Sequence, residues 1–489
     1  LVQTHRCPHH RLGCLYGIGQ RHLWPSSHPG RRLAYVDADG GVLRRVRPIY
    51  RHDRRFLRPD RGPCGGRPPR RSQPGRVVAS SRSDRHEMPR HSRCCYWCRT
   101  SRTGRSRARY CCRQSQVRYM RVMVLSRGIP SPEAPLRGIF EYDQAVALHQ
   151  QGHEVILAVL DARSVRHWRK FGTRVEHAVD RNDGMTVVRL DVPLGAASAR
   201  IDHRVHAIAA RHLHRIVTSQ WGIPDVSHAH FARFAAAAAR AGFPEPLVWT
   251  EHDSHLAHPD QRLNEDIIIA GDRADAVISV SQGLCDRLAG HGVTSTVVPN
   301  IVDVELFDRP DRRHEGTIVV SVATLNPGKG MIELAQAVER LPEVQLRIIG
   351  DGPQRHQLEA IAAGNPRIVL LGPQSRDRIA EELAGADAFA LASHAETFGV
   401  ACAEALAAGL PVLTTACGGP QEFIDDSNGV VVPIGDVDAL TEGLCQVLAR
   451  SWDHEQIAGY VRSRFAAAPV VDQLETVYRK AVADHGMAG

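Results

Sequence analysis

Two short apolar runs, residues 388–392 and 412–416, enclose the stretch Ser393-His-Ala-Glu-Thr-Phe-Gly-Val-Ala-Cys-Ala-Glu-Ala-Leu-Ala-Ala-Gly-Leu-Pro411. Each run has the length and composition of a buried strand. Between them, residues 400–408 are rich in Ala and Leu and stop at Gly409, as a short helix with a C-terminal glycine does. The segment therefore reads as a strand, a tight turn at 396–399, a helix and a second strand, which is one βαβ unit of a parallel sheet. Such a turn aims backbone N–H groups and the positive end of the helix at one point, a setting that suits a phosphate.

Two carboxylates bracket that point. Glu396 precedes the helix and Glu404 lies within it, so at the helical rise per residue they stand roughly 12 Å apart along the axis. A nucleotide sugar carries its sugar and its ribose on either side of a diphosphate at a similar separation. Glu396 is thus placed for sugar hydroxyls and Glu404 for ribose hydroxyls, with the diphosphate on the backbone of Phe398, Gly399 and Val400. Two glutamates alone also describe a solvated helix face, but an exposed face is hard to find in so apolar a segment. The stretch resembles the E-x7-E signature of the retaining glycosyltransferases of family 4, through Glu396-Thr-Phe-Gly-Val400, Glu404-Ala-Leu-Ala-Ala-Gly-Leu-Pro-Val412 and Gly418-Gly419. The resemblance implies an α/β, GT-B fold: two Rossmann-like, doubly wound parallel-sheet domains facing a cleft, with the nucleotide sugar held mainly by the second.

The chain's 489 residues exceed one ordinary core, and its charge is unevenly spread. Residues 1–119 hold 28 Arg, no Lys and six acidic residues, whereas residues 120–489 hold 34 basic and 47 acidic ones. The overall balance of +9 therefore describes neither part. Eight of the 12 cysteines also precede Met120. The other four (Cys285, Cys402, Cys417 and Cys445) are scattered, as reduced thiols of a cytosolic protein are. Residues 1–119 lack a sustained apolar period and are crowded with Arg, Pro, Gly, Ser and His. Three readings compete there. One is a disordered basic tail that binds nucleic acid or anionic lipid; another is a zinc module on Cys94, Cys95, Cys98, Cys111 and Cys112. The third is an out-of-frame translation of GC-rich DNA, ending where Met120-Arg-Val-Met-Val-Leu125 begins an orderly strand. No apolar run reaches the roughly 18 residues of a membrane span, and the N-terminus has no apolar core of a secretory signal. The cytoplasm is the expected compartment, with peripheral contact at the inner membrane face as a further expectation.

From Met120 the chain alternates strand and helix. Residues 121–125 form a strand, and Gly138 opens a helix over 139–151. In family 4 a glycine in this loop lets the backbone approach the donor diphosphate; helix initiation alone is the competing role of Gly138. Residues 153–160 are a second strand. The basic residues around Trp168 (Arg163, Arg166, Arg169, Lys170 and Arg174) suit either an acidic membrane surface or a solvated face. A helix over 201–218 precedes Asp225-Val-Ser-His-Ala-His230, a strand with both histidines on one face. His230 is at its C-terminal end, where α/β sheets place ligands. This strand resembles the family's Asp-Val-x-His-x-His, which implies His230 beside the donor sugar and acceptor; a structural histidine is the alternative, and His228 and His252 are further candidates. Strands at 276–281 and 295–299 complete the sheet. Pro299-Asn-Ile-Val-Asp303 resembles the family's interdomain link, with Ile301 in place of its glycine.

The organisation expected is the segment 1–119, a Rossmann-like acceptor-side domain at 120–303, a Rossmann-like nucleotide-sugar domain at 304–468, and a tail at 469–489. The tail helix, about 470–483, crosses back to the first domain, and residues 308–316 read as the linker. A strand at 317–324 and Leu325-Asn-Pro-Gly-Lys-Gly330 lead into a helix over 331–341. Lys329, one of three lysines after Met120, sits at a turn where a cation neutralises a leaving diphosphate; a surface lysine is the alternative. Family 4 usually has an arginine where this chain has Thr324, so Arg378 is a candidate substitute. Strands at 344–349, 367–372 and 429–432 continue the sheet.

The expected reaction is transfer of a sugar from a nucleotide-diphosphate donor to an acceptor hydroxyl, with retention of anomeric configuration. Glu396, His230 and Lys329 are the expected catalytic residues; Gly138, Lys329, Glu396, Phe398, Gly399, Val400 and Glu404 are the expected donor ligands. The nucleotide sugar is a co-substrate. No cofactor and no metal are expected, because Lys329 and the helix end supply positive charge and no carboxylate cluster suits Mg²⁺ or Mn²⁺. The acceptor is a glycan, a lipid or a small molecule, and no specific nucleic acid is expected. The competing readings are a sugar-nucleotide epimerase on the same fold and a nucleic-acid-binding protein acting through residues 1–119.

Overall fold

The computed structural model describes residues 119–131, 136–164, 176–194, 199–253, 265–308 and 315–488. The Arg- and Cys-rich residues 1–118, the basic stretch at 165–175 and the linker residues 309–314 lie outside them, so the readings of those segments stay expectations.

Two sheets organise the rest. The first contains β1 (Arg121–Ser126), β2 (Glu154–Ser164), β3 (Glu176–Asn182), β4 (Met185–Leu194), β5 (Val226–His230), β6 (Leu247–Glu251), β7 (Ala276–Ser279) and β8 (Thr296–Val297), in the order β3-β4-β2-β1-β5-β6-β7-β8. The second contains β9 (Thr317–Val322), β10 (Val344–Ile349), β11 (Ile368–Gly372), β12 (Ala388–Leu391), β13 (Val412–Thr415) and β14 (Gly429–Val432), in the order β11-β10-β9-β12-β13-β14. Every pairing of the second sheet is parallel. Helices must then cover both faces, which is why β9 and β12 are largely apolar and buried.

The first sheet departs from the sequence reading at both edges. That reading passes from the strand at 153–160 straight to a helix, whereas β2 runs on to Ser164 and a hairpin of β3 and β4 follows. Asp183 and Gly184 at its tip have φ of 46° and 80°, the handedness that lets a two-residue turn follow the strand twist. β4 pairs parallel with β2, which leaves β3 antiparallel at the sheet edge. At the other edge, the strand expected over 295–299 shortens to two residues.

In both sheets the strand order reverses around the first strand: β1 lies between β2 and β5, and β9 between β10 and β12. Ligand crevices in such sheets open at the carboxyl ends of the strands next to that reversal. The residues following β1, β6, β9 and β12 all meet at one cleft. The helix Ala467–Ala488 fixes the first sheet from beneath. Its Val470, Val471, Leu474 and Tyr478 join a buried cluster with Val122, Val124, Val226 and Val248. Two polar ties lock it. The Met120 N–H donates to His153 Nδ1 at 3.2 Å, so the ring proton is on Nε2, which donates to Glu475 at 2.9 Å. The Tyr478 hydroxyl lies 2.7 Å from His228 Nδ1.

Candidate active site

The turn after β12 is held by glycines that permit close backbone contact. Glu396 bridges to Gly418: its N–H donates to the Cys417 carbonyl at 2.7 Å, and the Gly419 N–H donates to the Glu396 carbonyl at 3.0 Å. A Cβ on Gly419 would fall 2.3 Å from the Thr397 carbonyl oxygen. Gly399, with φ of 83°, ends the turn and starts the helix Val400–Ala407. The loop after β9 is stapled to the same turn. Gly330 sits where a Cβ would be 2.0 Å from the Ala392 carbonyl oxygen, and the His394 N–H donates to the Gly328 carbonyl at 2.8 Å. As a result Lys329 Nζ donates to Glu396 Oε1 at 2.6 Å, and the Ser393 hydroxyl donates to the same oxygen at 2.7 Å.

Glu404 projects from the same helix into a second cluster. Arg376 Nη2 lies 3.4 Å from Glu404 Oε1, while Arg376 Nη1 donates to both carboxylate oxygens of Asp143, at 3.1 and 3.0 Å. Asp143 belongs to the first domain's helix Ile139–Gln150, so this ion pair crosses the cleft. Burial pushes the Glu404 carboxyl up to about 7 and that of Asp143 up to about 6, with Arg376 holding both lower than burial alone would. Arg378, expected as the substitute cation, is turned to solvent. It pairs with Glu381 and Glu382 of its own helix, Arg376–Ala384, because a residue two positions on from Arg376 points to a different face.

The histidines sort by depth. His230 is fully buried, and its Nδ1 lies 2.9 Å from His252 Nε2; the cavity wall here is His252, with His230 behind it. The His228 ring lies against that of His230, tilted by 30° with centroids 4.4 Å apart, and its Nε2 meets the Thr250 hydroxyl at 2.7 Å. Burial lowers the pKa of all three, with His228 and His252 reaching about 3, so each ring is neutral and carries one N–H. His230 Nε2 is enclosed and has no hydrogen-bond partner among the described residues. His252 is held from both domains. Glu251 accepts its N–H at 2.8 Å, and the Thr397 hydroxyl donates to its carbonyl at 3.1 Å.

Two adjoining cavities of the cleft hold most of these residues. One, of about 610 Å³, contains Glu396, Lys329, His252, Asn300, Phe398 and Gly399; the other, of about 520 Å³, contains Glu404, Arg376 and Asp143. Val400, Thr324 and Arg127 line both. Of the expected donor ligands, Lys329, Glu396, Phe398, Gly399, Val400 and Glu404 thus come together. Gly138 stands apart: with φ of 66°, it packs on its own domain, where a Cβ would lie 2.1 Å from the Gly128 carbonyl oxygen. Arg127, Asp143, Asn300 and Arg376 were missed. Each is one polar residue among many, Asp143 inside a helix and the others in loops or at a helix start, and only their spatial meeting distinguishes them.

The family description "Glycosyltransferase Family 4" matches residues 140–306, and "Glycosyl transferases group 1" matches residues 303–464. The D-inositol 3-phosphate glycosyltransferase of Xylanimonas cellulosilytica is 32% identical over 291 residues, covering 53% of this chain and 67% of that protein. The chain belongs to glycosyltransferase family 4. Another family 4 relative, the D-inositol 3-phosphate glycosyltransferase of Mycobacteroides abscessus, is 28% identical over 296 residues; the match covers 55% of this chain and 63% of the relative. The fold is that of sucrose-phosphate synthase from Thermosynechococcus elongatus, with a TM-score of 0.63 and 19% identity over 74% of this chain and 99% of that one. It is also that of Anabaena HepE in complex with UDP, with a TM-score of 0.54 and 17% identity over 73% and 98% of the two chains. Both are GT-B neighbours, and the two sheets facing one cleft are the architecture expected from the signature. No helix among the described residues is long and apolar enough to cross a membrane.

Proposed function

We propose that the chain transfers a sugar from a nucleotide-diphosphate donor to an acceptor hydroxyl with retention of configuration, without needing a metal ion. The carrying observation is the pair of charge-matched glutamates in adjoining cavities: Glu396 with Lys329, and Glu404 with Arg376, the first turn of the Val400–Ala407 helix between them. Glu404 accepts hydrogen bonds from the ribose diol. Glu396, already holding Lys329 and Ser393 on one oxygen, offers its other oxygen to sugar hydroxyls. The diphosphate lies on the helix start, where the first N–H groups have no intrahelical partner.

As the bond from the anomeric carbon to the phosphate oxygen lengthens, negative charge grows on the leaving diphosphate. Lys329 and the helix end are fixed beforehand to stabilise it, which is where preorganised charge lowers a barrier most. The acceptor oxygen attacks from the face the leaving group vacates, and a diphosphate oxygen takes its proton. Neutral His252 on the cavity wall, its ring fixed by His230, orients the sugar or the acceptor. Relatives are named for D-inositol 3-phosphate, the lipopolysaccharide core and malate. The acceptor proposed here is accordingly a hydroxyl on a small molecule, a glycan or a glycolipid. The first two of those relatives are named glycosyltransferases, which sets the epimerase reading aside.

The test is acceptor-dependent release of UDP, GDP or ADP from a panel of nucleotide sugars in EDTA, with the product's anomeric configuration read by NMR. An inverted product, or activity only with added metal, would remove the corresponding part of the proposal.

A further inference from the structure

The two cavities share a waist where Val400 and Thr324 of the second domain face Arg127 of the first. On the reading above the diphosphate must occupy this waist, because it lies between the cavity holding Glu396 and the cavity holding Glu404. The second domain supplies little uncommitted positive charge there. Lys329 is neutralised by Glu396 at 2.6 Å, Arg376 is tied to Asp143 and Glu404, and Thr324 has no charge. A departing nucleoside diphosphate carries more negative charge than one paired ammonium group and a helix end can balance.

We propose that Arg127 is the second cation on the donor diphosphate, reaching it across the cleft from the first domain. Its side chain is 41% exposed, and its guanidinium carbon lies 4.3 Å from the centre of the Phe231 ring. Its Nε lies 3.3 Å from Glu141 Oε1, a carboxylate with no exposure of its own. The two terminal nitrogens have no hydrogen-bond partner among the described residues, which leaves the fork suited to paired phosphate oxygens.

The surroundings hold this arginine rather than let it swing. Ser126 Oγ donates to the Gly128 carbonyl at 2.6 Å and accepts the Gly128 N–H at 3.2 Å, closing a turn around Arg127. Gly138 lacks the Cβ that would push this turn away. Phe231 has φ of 67°, a strained conformation for a phenylalanine that sets its ring beneath the guanidinium. Burial also raises the pKa of Glu141, which weakens its hold on the arginine. It follows that the diphosphate site is complete only when the two domains face each other, so leaving-group stabilisation depends on a closed cleft.

The inference rests on the donor reading, and the experiment separates the two. Calorimetry on the full chain measures binding of UDP, GDP and ADP and, beside them, the matching nucleosides, for the wild type, Arg127→Gln and Arg127→Lys. Arg127→Gln should weaken the nucleoside diphosphate about 10- to 100-fold, the effect of losing charge-assisted hydrogen bonds, and leave the nucleoside unchanged. Arg127→Lys keeps the charge and should retain a larger share of the affinity. Equal diphosphate binding by the wild type and Arg127→Gln overturns this inference alone, as does a parallel loss of nucleoside affinity. A wild type that binds none of UDP, GDP and ADP overturns the donor reading together with it.

Discussion

If Glu404 receives the ribose diol, donor affinity should depend on pH in a way the structure fixes in advance. A carboxylate accepts both diol protons only when ionised. Burial raises the Glu404 carboxyl to about 7 and Asp143 to about 6. The sign follows: above about 7 the site is ionised and binds fully, and affinity falls as the pH drops through that value, at most about tenfold per unit for one proton. Two substitutions should move the midpoint in opposite directions. At 3.4 Å and an effective dielectric of about 20, the Arg376–Glu404 attraction is about 5 kcal/mol, most of which water at the open side of the cleft screens out. Retaining a third of it corresponds to about one pKa unit. Arg376→Gln should therefore raise the midpoint by about a unit, because it removes the charge that favours ionised Glu404. Asp143→Asn should lower the midpoint, because it removes a like charge and releases Arg376 to Glu404 alone. Dissociation constants for UDP and GDP, measured between about pH 5.5 and 8.5, give the midpoints, with the 2′-deoxy nucleotides as control. A pH-independent affinity over that range refutes the reasoning, as does movement of both variants in one direction.

Other substitutions test the rest of the site and its support. Glu396→Ala and Lys329→Ala should each lower turnover about 100-fold or more while far-UV circular dichroism stays unchanged; turnover near wild type in either removes the assigned role. Gly138→Ala places a Cβ 2.1 Å from the Gly128 carbonyl oxygen at positive φ, so it should displace the loop carrying Arg127 and reduce both thermal stability and nucleoside diphosphate affinity. Leu474→Ala in the returning helix leaves a cavity beneath the first sheet and should cost about 2–5 kcal/mol in denaturant unfolding. Glu251→Gln should cost about 1–3 kcal/mol, because an amide cannot accept on both sides from the N–H groups of Ala232, His252 and Asp253.

Much of the fold was legible because parallel strands buried on both faces leave apolar runs, and the turns between strand and helix leave glycines at fixed places. The hairpin of β3 and β4 escaped notice although Asn182-Asp183-Gly184-Met185 is a turn signal. The strand before it, Glu176–Asn182, lies at the sheet edge and is too polar to show an apolar run. Within the site, period 2 put His228 and His230 on one face but carries no information about depth. Only the meeting of β5 and β6 shows His252 in front of His230. Arg376 and Arg378 are two residues apart on one helix, so helical geometry decides which enters the cleft, and the tertiary position of that helix is not written in its own residues.

The two glutamates of the signature sit in unlike environments, and these suit the two roles proposed for them. Glu396 is fixed by a direct ammonium contact and a serine hydroxyl on one oxygen, so on the proposed reading it presents a rigid acceptor beside the bond that breaks. Glu404 shares one arginine with a carboxylate of the opposite domain, so its charge depends on what Asp143 and Arg376 are doing. A rigid acceptor suits a residue that must hold the same geometry through the reaction. A carboxylate poised near neutrality suits a contact made on binding and released with the product. Exchanging the two surroundings would place the adjustable charge beside the reacting carbon, where any reorganisation adds to the barrier. On the proposed donor reading, the cross-cleft arginine thus belongs on the ribose side and the short lysine contact on the sugar side.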